Sequence, residues 1–186
     1  MKIPSSRITP IEQNRHPIDA RVDIGHVHLK TADLQKIYDF YVGILGFDVV
    51  VRMPTALFLS AGGYHHDLGF NTWESKGGSP PPTHTTGLYH VAIRYPDQGS
   101  LGDALLRLQE ASWPLDGVNN HGTHEALYLR DPDENGLELY YDFHESEWPV
   151  DKNGHLDFLA GHKQLDLKGL LAAGKAYREQ KNFSKK

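Results

Sequence analysis

No cysteine occurs in the 186-residue chain, which excludes a disulfide, a thiolate nucleophile and any sulfur-based metal site. No apolar run approaches the ~18 residues of a membrane span. Pro4 and polar neighbours stand where a secretory leader would carry its apolar stretch. Basic runs are also lacking, and the formal net charge is −5, so neither nucleic acid nor an anionic membrane is the expected partner. These absences lead us to expect a cytoplasmic protein that acts on a small molecule. Histidine, in contrast, is plentiful. Twelve in this length favour a metal or proton-transfer site.

The chain says the same thing twice. Gly25-His26-Val27-His28-Leu29-Lys30 is echoed by Tyr89-His90-Val91-Ala92-Ile93-Arg94, with Asp33 and Asp97 each following seven residues after the histidine (His26, His90). Ala56-Leu57-Phe58-Leu59 is answered by Ala126-Leu127-Tyr128-Leu129. Beyond that pair the halves diverge, and the alignment sets Leu68 of the first half against Glu138 of the second.

Residues 1–22 are polar and proline-broken, an arm with little intrinsic structure. The first module spans 23–74. A strand (24–30) leads to a cap at Thr31 or Asp33 and a helix carrying Leu34, Ile37, Tyr38, Tyr41 and Leu45, stopped by Gly46. Short strands then fall at 47–52, 55–60 and 65–73. Residues 75–86, rich in glycine and proline, form a linker. The second module, 87–143, repeats the order. It has a strand at 88–94, a cap at Ser100, a helix with Leu101, Leu105, Leu108 and Ala111, and strands at 115–118, 125–130 and 137–143. The turn 131–136 separates the last two. Residues 144–186 are a tail that Leu165, Leu167, Leu170 and Leu171 dock as a short helix. The fold class is α+β, two tandem βαβββ modules.

Strand alternation sorts the side chains. Val27, Leu29, Val91, Ile93, Leu127, Leu129, Leu137 and Leu139 suit packing beneath helices, whereas His26, His28, His90, Arg94, Tyr128, Glu138 and Tyr140 share the opposite face. His66 joins them if its strand keeps register. Two imidazoles and one carboxylate on one side of a divalent cation make the facial triad of non-haem Fe(II) oxygenases; here the ligands are His26, His90 and Glu138. His28 is read as pocket wall and fallback ligand, and Phe70, Trp73 and Tyr140 as apolar walls for an aromatic ring.

The segments IGHVHLKTADLQKIYDFYVGILGF, GGYHHDLGFNTW, GLYHVAIRYPD and HEALYLRDPDENGLELYYD resemble the vicinal oxygen chelate superfamily, and within it the catechol 2,3-dioxygenase-like extradiol enzymes. The resemblance covers about residues 23–143, with Glu147-Trp148-Pro149 similar to the end of that group. It implies a partly open barrel around one metal cleft, Fe(II) or alternatively Mn(II) held by His26, His90 and Glu138, and catecholic substrate and dioxygen as partners. It implies an acid/base role for His66 in His66-Asp67-Leu68-Gly69-Phe70 and a substrate-contacting role for Tyr128, ten residues before Glu138. The histidine that precedes this tyrosine is His121 or His124. The superfamily pairs its modules within one chain or across two, so both a monomer and a homodimer stay open.

Rival readings use the same modules. A glyoxalase-type lyase usually takes a fourth ligand from the last strand of module one, where Leu68 offers none. A metal-dependent thiol transferase of the fosfomycin-resistance type shares three ligands but lacks the His66 and Tyr128 signals. A protein that only binds aromatic compounds would leave two histidines and an acid facing a pocket unpaired, which is costly when buried.

Overall fold

The computed structural model describes residues 18–183. The expected arm, 1–22, lies mostly outside the described residues, as do 184–186. Each half folds as βαβββ. In the first, β1 (Val27–Lys30) leads into α1 (Leu34–Ile37) and three strands, β2 (Asp48–Met53), β3 (Ala56–Ser60) and β4 (Leu68–Asn71). In the second, β5 (Val91–Arg94) leads into α2 (Gln98–Glu110) and then β6 (Gly117–Asn120), β7 (His124–Arg130) and β8 (Gly136–Asp142). The two four-stranded sheets have matching orders, β1-β4-β3-β2 and β5-β8-β7-β6. In each, the first strand pairs in parallel with the last. The architecture is the expected α+β duplication. Among the described residues no helix is long and apolar enough to cross a membrane.

Local chemistry sets the helix starts. Asp33 caps α1 by accepting from the Gln35 N–H. In the second module the cap is Asp97, not Ser100: Asp97 accepts from the Ser100 N–H at 2.7 Å while the Ser100 hydroxyl faces the Asp97 N–H, a reciprocal capping box. The first helix also departs from a plain 3.6-residue repeat. After Ile37 it widens into a π-helical stretch, Tyr38–Ile44, with Leu45 N–H bonding Phe40 C=O. Widening brings Phe40 into the core beside Ile37 and Tyr41, a position that α-helical spacing did not assign. Gly46 ends the segment at φ +87°, as expected.

One apolar cluster joins both halves, with Ile37, Phe40, Tyr41 and Phe70 from the first and Leu101, Leu105, Leu127 and Leu139 from the second. Tyr41 Oη donates to Asp131 Oδ2 at 3.1 Å inside it. Burial raises the Asp131 carboxyl above its ordinary value despite hydrogen bonds from Asn135, Asp133 and Tyr41.

The tail is more than the short docked helix expected. Residues 144–163 return to the second sheet, where Asn120 and Lys163 exchange backbone hydrogen bonds. Leu165 and Leu170 enter the core, and α3 (Leu167–Phe183) packs along α2. There the backbones touch at Gly102 and Gly174: a Cβ on Gly102 would lie 2.3 Å from the Leu170 carbonyl oxygen. Arg178 straps the same crossing to Asp103 and Glu110.

Candidate active site

Register fixes what faces the cleft. Ala92 lies beside Glu138, and Tyr128 pairs with Glu138 from the other side. The equivalent row of module one is His28 beside Gly69, with Phe58 beyond. Gly69, rather than Leu68, therefore occupies the place of Glu138. Phe58 meets Gly69 where Tyr128 meets Glu138, so the first β-hairpin connection is one residue longer. An ungapped alignment across it slips by one. Leu68 points into the core instead, 4 % exposed. The consequence for ligation is unchanged, because glycine has no side chain to give. A Cβ at 69 would press on the His28 ring at 3.1 Å, so the small residue leaves room for that imidazole.

Glu138 is the focus of the second sheet. The residue is 8 % exposed, and its side chain is reached by three groups. His90 Nε2 lies 3.0 Å from Oε2. Tyr128 Oη donates to Oε1 at 2.8 Å, and His124 Nε2 lies 3.3 Å from the same oxygen. Burial opposes its ionisation. Hydrogen bonds from His124 and Tyr128, with the charges of His124 and His90, outweigh that cost and hold the carboxyl below its ordinary value. Burial, then the adjacent Glu138, drives the Tyr128 phenol well above its usual value. Tyr128 also meets His121 Nε2 at 2.7 Å. Of the two histidine candidates, His121 thus contacts the tyrosine and His124 the carboxylate.

His26 immediately precedes β1 of the first sheet. Its ring centre is 4.3 Å from that of His66, which leads β4 from a loop and not from within a strand. Desolvation, followed by the neighbouring His26, His65 and His28, lowers the His66 pKa. His26 and His90 line one cavity of about 760 Å³, which Ile24, Leu88, Arg94 and Tyr140 also line. The two repeat-related histidines thus line one space, and Glu138 is not among the residues that line it. Among the described residues, the group of three donors within 4.8 Å of one another is His121, His124 and Glu138, which the sequence did not single out as a set.

The donor chemistry fits a divalent cation. Two ligands in cis positions at about 2.1 Å from an ion sit roughly 3 Å apart, the separation of His90 Nε2 from Glu138 Oε2, 3.0 Å. His90 Nδ1 is buried with no hydrogen-bond partner among the described residues. Tyr140 lines that cavity as expected; Trp73 is not among its lining residues and instead packs with its ring centre 5.7 Å from that of His28. Nor does Phe70 line it. It is wholly buried against Tyr41, with ring centres 4.7 Å apart, because its odd position on β4 faces the helices.

Residues 23–139 match the Glyoxalase/Bleomycin resistance protein/Dioxygenase superfamily. Over 111 residues the chain is 38% identical to a protein named catechol-2,3-dioxygenase from Bacillus subtilis (strain 168), covering 59% of this chain and 37% of that one. Over 120 residues it is 34% identical to biphenyl-2,3-diol 1,2-dioxygenase 3 from Rhodococcus globerulus, covering 64% and 63%. The chain thus spans about a third of the first relative and under two thirds of the second. Among solved structures, a glyoxalase/dioxygenase from Nostoc punctiforme aligns with TM-score 0.56 at 19% identity, covering 73% of this chain and all of that one. A glyoxylase/bleomycin resistance protein/dioxygenase domain from Frankia sp. EAN1pec aligns at 0.55 and 22%, covering 67% and 100%. These two likenesses bear on the fold alone.

Proposed function

The chain belongs to the glyoxalase/bleomycin resistance protein/dioxygenase superfamily, and from that membership we propose that it is an extradiol dioxygenase of catechol-type diols. The names of the two relatives, both dioxygenases of aromatic diols, support this reading. The observation that carries it is the contact of Glu138 with both His90 and Tyr128, at 3.0 and 2.8 Å. That arrangement joins a ligand pair to a substrate-binding hydroxyl.

In this proposal His26, His90 and Glu138 would hold Fe(II), or Mn(II) in its place. The bound ion would polarise both diol oxygens and let the ring react with dioxygen. His66, whose pKa is lowered by desolvation and then by its histidine neighbours, is able to take a proton from the diol and return it later. Tyr128 presents its hydroxyl to a substrate oxygen, and His121, 2.7 Å from that hydroxyl, orients it. Cleavage of the carbon–carbon bond beside the diol, with both atoms of O2 retained, gives a ring-opened hydroxy semialdehyde.

Reconstitution with Fe(II) under argon, then oxygen uptake on a panel of catechols, tests the proposal. Uptake matched one-to-one by a ring-opened chromophore supports it. Stoichiometric iron with no uptake on any diol rejects it.

A further inference from the structure

The tail places apolar groups where the fold does not need them. Trp148, Leu156 and Phe158 line a space of about 270 Å³ with Ala92, His124 and Glu138. Phe158 is 61 % exposed and belongs to neither the core nor its packed rim. An aromatic left in water on a loose loop would call for no explanation, but this segment is held at several points. Trp148 Nε1 donates to the Phe143 carbonyl at 3.1 Å, and the His162 ring meets the Phe158 carbonyl at 3.0 Å. Val150 bridges to Leu156. Lys163 is bonded to Asn120 in both directions, and just before it Gly161 packs on Gly122, where a Cβ on Gly122 would lie 3.0 Å from the Gly161 Cα. Phe158 is thus held in a set place on the space that Glu138 also lines.

We propose that residues 148–158 form a subsite for the ring substituent of the diol, with Phe158 as its specificity-determining residue; this rests on the diol reading above. The substituent it takes is neutral and apolar, of aryl or branched-alkyl size. The remaining lining explains the preference for a neutral group. Asp142 stands on the same wall, and the cation near it, Arg94, is already directed at Asp142 at 3.4 Å. A carboxylate on the substrate would face Glu138 and Asp142 with no unshared positive partner among these groups, and like charges in a desolvated site repel.

The test is calorimetric binding to the Fe(II)-loaded protein under argon, where no turnover occurs, with catechol, 3-phenylcatechol and 2,3-dihydroxybenzoate as probes. The phenyl compound should bind at least tenfold more tightly than catechol, and the carboxylate no better than catechol. Phe158→Ala should reduce the phenyl-to-catechol ratio roughly tenfold, the scale of losing apolar pocket contact; Leu156→Ala should reduce it in the same direction. Equal binding of all three probes, a preference for the carboxylate, or an unchanged ratio in both variants overturns the subsite. Oxygen uptake on catechol without any phenyl preference sinks the subsite and leaves the dioxygenase. Phenyl-selective binding without oxygen uptake on any diol sinks the dioxygenase and leaves the subsite.

Discussion

Tyr41 and Asp131, ninety residues apart in sequence, meet at 3.1 Å in the buried seam between the two repeats. The phenol is fully buried and the carboxyl 2 % exposed, so neither can turn to water for a replacement partner. Tyr41→Phe should destabilise the fold by about 1–3 kcal/mol, because Asp131 loses a donor it cannot recover. Urea unfolding of wild type and variant measures the loss.

The same pair predicts the alkaline limit of the protein. Burial first, then the charges of Asp131 and Asp133, raises the Tyr41 pKa well above its ordinary value. A raised folded-state pKa means that the neutral phenol stabilises fully below about pH 10 and that this stability is lost as pH climbs beyond it. Denaturation midpoints should therefore fall more steeply above pH 10 in wild type than in Tyr41→Phe.

Metal content separates two ligand sets. If the ion is held across the cleft, His26→Ala, His90→Ala and Glu138→Ala should each lose it, while His124→Ala keeps most of it. Elemental analysis of anaerobically loaded protein reads this directly. Retention in His26→Ala together with loss in His124→Ala would move the site to the cluster of His121, His124 and Glu138.

His66 packs on His26 with ring centres 4.3 Å apart, close enough to be mistaken for a ligand. His66→Gln should leave metal nearly intact and lower kcat by roughly 10²–10⁴, the span of lost acid–base assistance. Loss of metal in that variant would make His66 a ligand instead.

Gly102 tests the helix crossing. A methyl there would fall 2.3 Å from the Leu170 carbonyl oxygen and 2.7 Å from Gly174 N, atoms of a backbone that cannot swing aside. Gly102→Ala should cost about 1–3 kcal/mol through overpacking, although alanine is the better helix former. A thermal midpoint equal to wild type would mean that α3 leaves α2 at little cost.

Much of this was legible from residues alone. The repeated His-Val strands and their aspartates carried the duplication, because period-two patterning and capping chemistry are local. His90 beside Glu138 followed from parity along two strands. What sequence did not yield was set by register and crowding. The one-residue difference between hairpins exchanged Leu68 for Gly69, and the π-helical widening drew in Phe40. The tail's long helix was underestimated because its closest approach to α2, Gly102 with Gly174, involves no side chain for a pattern to display. Phe70 was misassigned for a related reason: an aromatic on a strand reads alike whichever side of the sheet it occupies.

The exchange of an acid for a hydrogen atom between Glu138 and Gly69 leaves the two halves unequal where a guest would bind. A duplicated receptacle with equal halves would accept an unsymmetrical guest in either of two poses and break it in two different places. Here only one half carries the anionic hook, so the guest has a head end and a foot end. On the diol reading proposed above, the place of ring opening would follow from a symmetry the protein gave up, before any pocket wall distinguishes one guest from another.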